Sequence, residues 1–215
     1  MTTEEKQLEE IASQLACPSG DGGSAMGEKM NDTNAFITER SIETLAPQAG
    51  ERIVEIGPGN GVLSLPVVKA LGDNGHYMGL ELSEDMARQA QETLTRCGAS
   101  RISIHTGDCR AAPIDERSID GLIAINVLYF IDDISVFFAM VLRWLKPGGR
   151  AVFGVRSDQS LKGMPFTRYG FHIVRRHINW NTQGPDLKEG LAHLVQDIKR
   201  RVCGIASAGI PSFSV

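Results

Sequence analysis

From Arg52 onward the chain alternates short apolar runs with longer segments whose apolar positions recur at helical spacing. "RIVEIG" (52–57), "HYMGLEL" (76–82), "RISIHTG" (101–107), "IDGLIAIN" (119–126) and "RAVFGV" (150–155) are apolar almost throughout, and each reads as a buried strand. "GVLSLPVVKAL" (61–71) reads as an apolar helix, and Pro66 inside it predicts a late start or a kink. Ser83 stands at an N-cap position ahead of Glu84 and Asp85. The helix it opens carries Met86, Ala90 and Leu94 on one face, and Gly98 suits its C-terminal end. "ISVFFAMVLRWL" (134–145) is a strongly apolar helix, stopped by Lys146-Pro147-Gly148-Gly149. Strands apolar on both faces, alternating with helices, predict an α/β chain. Its sheet is doubly wound and mostly parallel, covered by helices on both faces and joined by right-handed crossovers.

The flanks are less regular. Residues 4–15 predict a short amphipathic helix with Leu8, Ile11 and Leu15 on its stripe, so the chain opens with a short helical N-terminal extension. "CPSGDGGSAMG" (17–27), with one proline and four glycines, reads as a loop, either a linker or a lid, with the linker favoured. Residues 32–46 predict a second helix with Ile37, Thr44 and Leu45 near one face. Beyond the fifth strand, "LKEGLAHLVQDIKRRV" (187–202) reads as helical, with Leu187, Leu191, Leu194 and Ile198 on one stripe. "CGIASAGIPSFSV" (203–215) is either one terminal strand or a tail. The expected division is an extension or lid over 1–46, a ligand-binding core over 47–156, and a C-terminal segment over 157–215 that completes the same domain.

Composition narrows the class. The 215 residues, 42% hydrophobic and 22% charged, suit one globular domain. A formal charge of −4 argues against a nucleic-acid partner. The short basic runs at 175–176 and 199–201 read as solvated faces. No apolar run approaches the roughly 20 residues that span a bilayer. The start "MTTEEKQLEE" is acidic and polar, unlike a secretory or transit leader. The expectation is a cytoplasmic protein with no membrane partner; oligomeric state is left open. Cys17, Cys97, Cys109 and Cys203 lie far apart with no CxxC, which reads as reduced thiols with neither disulfide framework nor metal site.

In a parallel sheet, ligands bind beyond the carboxyl ends of the strands. The first strand delivers Glu55 and the turn Gly57-Pro58-Gly59-Asn60-Gly61, where glycine lets backbone approach a ligand closely. The second delivers Glu81, a carboxylate suited to the two hydroxyls of a ribose. The third delivers Asp108 and Cys109, and Asp108 suits an exocyclic amine such as that of adenine. The fourth delivers Asn126, Val127, Leu128 and Tyr129. Singly, each has a plainer reading: a tight turn, a surface acid, a capped turn. Their order at successive strand ends is what points to a nucleotide. A dinucleotide fingerprint wants its third glycine at position 62, which is Val62. Glu55 precedes the turn and no Lys or Arg lies within it, so the site suits a ligand without phosphates.

Taken together, "VEIGPGNG", "GLELS", "HTGDC", "DGLIAINVLYF" and "LKPGGR" resemble the ordered motifs of class I S-adenosylmethionine-dependent methyltransferases, over roughly residues 28–156. The resemblance implies a Rossmann-like fold and S-adenosylmethionine as cofactor. It places the Gly57–Gly61 turn along the methionine part of the cofactor, Glu81 on the ribose and Asp108 at the adenine amine. It has Leu82, Met86 and Cys109 wall the adenine, and puts Asn126 to Tyr129 near the sulfonium. Met30, Asn31 and Asn34 become candidate lid contacts. Similar enzymes end with a further helix and an antiparallel strand pair, and "FTRYGFHIV" (166–174) resembles a loop before that helix. "NVLY" (126–129) departs from the Asn-Pro-Pro-aromatic motif used on planar nitrogens, so the expected acceptor is a small molecule. Tyr129, Phe166, Tyr169, Phe171 and Trp180 are candidates for an aromatic acceptor pocket or for core. No catalytic base is assigned; His172, His177 and His193 follow the fifth strand. Two alternatives stand beside methyl transfer: a non-catalytic cofactor-binding protein and a nicotinamide-dependent oxidoreductase.

Overall fold

The computed structural model describes residues 1–97, 101–156, 158–171 and 202–207. Among them six strands form one parallel sheet in the order β3-β2-β1-β4-β5-β6. The strands are β1 (Arg52–Ile56), β2 (His76–Glu81), β3 (Ile102–Thr106), β4 (Ile119–Ile125), β5 (Leu145–Arg156) and β6 (Val202–Ser207). The helices are α1 (Thr3–Ala16), α2 (Gly20–Leu45), α3 (Leu65–Leu71), α4 (Glu84–Thr95), α5 (Ile134–Trp144) and α6 (Asp158–Lys162). The five expected strands and the doubly wound α/β class are all present. The terminal strand runs parallel to β5, where the resemblance implied an antiparallel pair. Parallel neighbours cannot be joined by a hairpin; they need a long crossover, and the chain between Arg156 and Val202 is long enough for one.

Side-chain alternation splits the core into two layers. Val54, Ile56, Leu80, Leu122, Ala124 and Phe153 point to the face covered by Phe137, Val141 and Trp144 of α5. Ile53, Tyr77, Ile123 and Val152 point to the opposite face, against Leu45 of α2, Val67, Val68 and Leu71 of α3 and Leu94 of α4. Each fully buried Leu, Ile or Phe contributes about 1.5–3 kcal/mol relative to exposure. Pro66 acts as expected: a 3-10 turn over Val62–Ser64 precedes α3. Ser83 caps α4, its hydroxyl accepting from the Met86 N–H at 3.1 Å, and Met86, Ala90 and Leu94 are buried. Gly98, the helix expected over 187–202, Trp180 and the three candidate histidines lie outside the described residues.

Two expectations near the N-terminus are corrected. Residues 17–27 are not a loop; after a break at Cys17–Ser19 the chain enters α2, whose 26 residues absorb the helix expected over 32–46. The glycines serve close approach rather than punctuation. A Cβ on Gly27 would lie 3.0 Å from Met86 Sδ, and one on Gly23 3.1 Å from the carbonyl carbon of Pro18. The break itself is pinned to α4: the Ser83 hydroxyl donates to the Pro18 carbonyl, and the Gly20 N–H donates to Asp85 Oδ2 at 3.0 Å. Thr44 is exposed, and Ser41 takes the buried place on the face shared with Ile37 and Leu45. At its C-terminal end α2 is held by Arg150, which donates to the Leu45 carbonyl and, at 2.9 Å, to that of Ala46, while pairing with Glu51 at 2.8 Å.

Candidate functional site

A cavity of about 320 Å³ opens beyond the carboxyl ends of β1, β2, β3, β4 and β5, between them and α2. Every strand end singled out in the sequence reaches it: Glu55 and Gly57–Asn60 from β1, Glu81 and Leu82 from β2, Asp108 and Cys109 from β3, Asn126 and Val127 from β4. Met30, Asn31 and Asn34 close it from α2. Gly61, Met86 and Leu128 are not on its wall, nor is the acceptor-pocket candidate Tyr169; Leu128 and Tyr169 pack against the core instead. Gly61 packs on α4: with φ of 79°, a Cβ there would lie 3.0 Å from Ala90 Cα. It does the helix-packing work of the third fingerprint glycine from one position earlier. Met86 is fully buried beneath α2, against Gly27.

The floor of the cavity carries two buried carboxylates. Glu55, 4% exposed, accepts a hydrogen bond from the Tyr77 hydroxyl at 2.8 Å. Tyr77 precedes Gly79 by two residues on β2, so both face the same side of the sheet. A Cβ on Gly79 would lie 2.7 Å from Ile104 Cδ1 and 3.1 Å from Pro58 Cγ, so glycine there lets β3 and the turn after β1 pack closely. Burial pushes the Glu55 carboxyl above its ordinary range, with the bond from Tyr77 opposing and the Glu81 charge adding to the rise. Glu81, 5% exposed, accepts from the Gly59 N–H at 2.9 Å and the Ser83 N–H at 3.0 Å. Burial raises its carboxyl too, against those backbone donors.

At the rim, Asp108 caps the short turn Cys109–Ala111 by accepting from the Arg110 N–H at 2.8 Å, and pairs with the Arg110 guanidinium. That pairing holds its carboxyl below the ordinary range. The Cys109 thiol, half-buried beside it, is pushed up by burial and by the Asp108 charge. Asn126 sits where the chain leaves β4, at φ of 56°, in the left-handed region that asparagine tolerates better than most residues. Its Nδ2 donates to Asn34 Oδ1 at 3.0 Å, and its Oδ1 accepts from the Tyr129 hydroxyl at 3.0 Å.

Past Asn126 the wall turns aromatic. Tyr129 stacks on Phe171 with centroids 6.0 Å apart, and Phe130 and Phe166 meet Phe171 at 4.7 and 5.9 Å. All four line the cavity. Arg156, 7% exposed at the end of β5, joins them and donates to the Thr33 carbonyl at 3.3 Å. Sequence reasoning missed Tyr77, Phe130 and Arg156. Tyr77 offered no signal beyond its place on an apolar strand, and Arg156 none beyond its position after "RAVFGV".

Residues 53–149 match a family model described as a methyltransferase domain. The demethylmenaquinone methyltransferase of Desulfitobacterium hafniense (strain Y51) is 29% identical over 136 residues, covering 63% of this chain and 53% of that protein. An aklanonic acid methyltransferase of Streptomyces sp. (strain C5) is 27% identical over 114 residues, covering 53% and 52%. The chain thus spans about half the length of these curated relatives. A solved S-adenosylmethionine-dependent methyltransferase from Aquifex aeolicus shares the fold, with a TM-score of 0.51 over 57% of this chain and 67% of that one at 17% identity. Over residues 53–149, with the motifs seated at the strand ends, the chain is similar to class I S-adenosylmethionine-dependent methyltransferases, whose cofactor is S-adenosylmethionine.

The residues present fit that cofactor. Gly59, at φ of 59°, leaves nothing within 4 Å of where a Cβ would stand, which suits a ligand lying along the turn. Buried carboxylates suit an ammonium and ribose hydroxyls, and would repel a pyrophosphate. The strand order is the one dinucleotide folds also use, so topology alone does not separate the two ligands. The site chemistry does.

Proposed function

We propose that this protein transfers the methyl group of S-adenosylmethionine to a small, flat, ring-bearing acceptor. The observation that carries the acceptor class is the aromatic wall of Tyr129, Phe130, Phe166 and Phe171, contiguous with the strand-end residues in one cavity. Aromatic faces add roughly 0.5–1.5 kcal/mol per ring pair beyond area burial. The relatives' names, demethylmenaquinone and aklanonic acid, are those of small molecules, in line with this reading.

In this proposal the Gly57–Asn60 stretch and Glu55 hold the methionine half of the cofactor. Glu81 takes the ribose, Asp108 the adenine amine, and Leu82 and Cys109 wall the base. Gly61 and Met86 support the site from behind. When bound, the cofactor supplies an electrophilic methyl on a sulfonium. The chain's own contribution is alignment, which is worth roughly 7–11 kcal/mol when nucleophile and electrophile are held near attack distance. Asn126 places a neutral amide, rather than a carboxylate, near the charge that is lost during transfer. Tyr129 is poorly placed to act as a base: burial raises its hydroxyl pKa, and its oxygen already accepts from the Arg156 N–H. A cytoplasmic setting belongs to the same proposal, supported by the free thiols of Cys17, Cys97 and Cys109.

The test is transfer of label from methyl-labelled S-adenosylmethionine to a panel of hydroxylated aromatic and quinol compounds beside aliphatic amines and acids. Labelled ring products support the assignment. Product only from aliphatic acceptors would contradict the acceptor class; cofactor binding without any product would favour the non-catalytic alternative.

A further inference from the structure

We infer that Asn34, outside the matched residues 53–149, donates a hydrogen bond to the carboxylate at the amino-acid end of bound S-adenosylmethionine, an inference that rests on the cofactor reading above.

The direction of a hydrogen-bond chain carries it. The Tyr129 oxygen accepts from the backbone N–H of Arg156. Its own proton then goes to Asn126 Oδ1 at 3.0 Å, a better partner than the Arg156 carbonyl at 3.4 Å. That makes the atom facing Tyr129 the amide oxygen of Asn126, so Nδ2 is the atom facing α2. The Asn126 Nδ2 donates to Asn34 at 3.0 Å, which makes the receiving atom the Asn34 oxygen. A chain that starts at a peptide N–H therefore ends on the Asn34 carboxamide with its NH₂ still to give, and no described residue accepts from it. Asn34 lines the cavity.

The place of Asn34 selects what receives those protons. Val127, next to Asn126, brings Cγ2 to 2.9 Å from where a Cβ on Gly57 would sit, so this corner adjoins the glycine turn and not the Asp108 rim. The methionine half of the cofactor lies along that turn, and its carboxylate needs donors. The turn's three glycine N–H groups are engaged, Gly57 with the Leu80 carbonyl at 2.9 Å, Gly59 with Glu81 at 2.9 Å and Gly61 with the Pro58 carbonyl at 3.1 Å, and Pro58 has none, which leaves Asn60 as the turn's remaining donor. Glu55 and Glu81 offer only acceptors when ionised. A carboxylate takes more than one donor, and Asn34 brings one to the cavity from α2.

The experiment is calorimetric titration of wild type, Asn34→Asp and Asn34→Ala with two probes. S-adenosylhomocysteine has the carboxylate; methylthioadenosine has the nucleoside and sulfur but neither carboxylate nor ammonium. Asn34→Asp keeps the bond from Asn126 but has no NH₂ to give; Asn34→Ala removes the donor without adding charge. Both variants are expected to bind S-adenosylhomocysteine about tenfold or more weakly, and methylthioadenosine within about twofold of wild type. Equal losses for the two probes would make Asn34 a merely structural residue, and unchanged S-adenosylhomocysteine affinity would remove it from the site. A wild-type protein that binds neither probe would overturn the cofactor reading itself.

Discussion

Glu55 and Glu81 are held out of water in one cavity, and burial keeps both carboxyls above their ordinary range. The sign of the consequence is fixed. A carboxyl raised on folding binds its proton more tightly in the folded chain than in the unfolded one. Its contribution is fully present below the unfolded pKa and lost as pH rises through the folded value. Ligand-free Glu55→Gln should therefore gain melting temperature over wild type at pH 8, and gain less at pH 5. A gain that is the same at both pH values would mean that Glu55 is not titrating across that window. For Glu81→Ala, equilibrium dialysis should show S-adenosylhomocysteine bound about tenfold or more weakly, with circular dichroism unchanged. Unchanged affinity would take Glu81 out of the site. Both acids were legible in the sequence because each ends a strand. Tyr77, which holds Glu55 in place, was not: a buried tyrosine on an apolar strand looks like any other core residue until its hydroxyl is seen to find a partner.

At the scale of elements, the site depends on how closely α2 and α4 approach the strand ends. Glycines set that approach. Gly61 combines φ of 79° with backbone of α4 3.0 Å from where a Cβ would stand, so neither end of the clash is a flexible side chain. Gly61→Ala should cost about 2 kcal/mol, lowering the melting temperature by about 4–8 °C. Ser83 acts on two elements, capping α4 and fastening the α1–α2 break at Pro18. Ser83→Ala should cost about 1–2 kcal/mol, and hydrogen exchange should rise at the break as well as in the first turn of α4. Protection lost at α4 alone would show that the break is held by other contacts. The sequence misled in this region because Pro18 and four glycines read as a linker. Helix propensity was overridden by packing: Gly23 and Gly27 are small where chains pass closely, a tertiary fact with no periodic signature.

At the scale of the molecule, the parallel sheet and both of its covered faces followed from strands apolar on two sides, while the strand order is set by tertiary pairing that the apolar pattern does not encode. Residues 53–149, which match the methyltransferase domain, supply the strand-end part of the cavity. The rest comes from outside them: α2 across the top, and Arg156, Phe166 and Phe171 at the aromatic end. These segments lack the spaced glycines and strand-end acids that made the first part readable. No helix among the described residues is long and apolar enough to cross a membrane.

In the function proposed, the strand-end residues hold S-adenosylmethionine rather than a dinucleotide. Thermal unfolding of the wild-type protein with S-adenosylhomocysteine and, separately, with NAD tests it most directly. A ligand that binds only the folded state adds about 2.7 kcal/mol at a hundredfold excess over its dissociation constant, a rise of several degrees. A site for S-adenosylmethionine gives that rise with S-adenosylhomocysteine and none with NAD; a rise with NAD alone would mean a dinucleotide site.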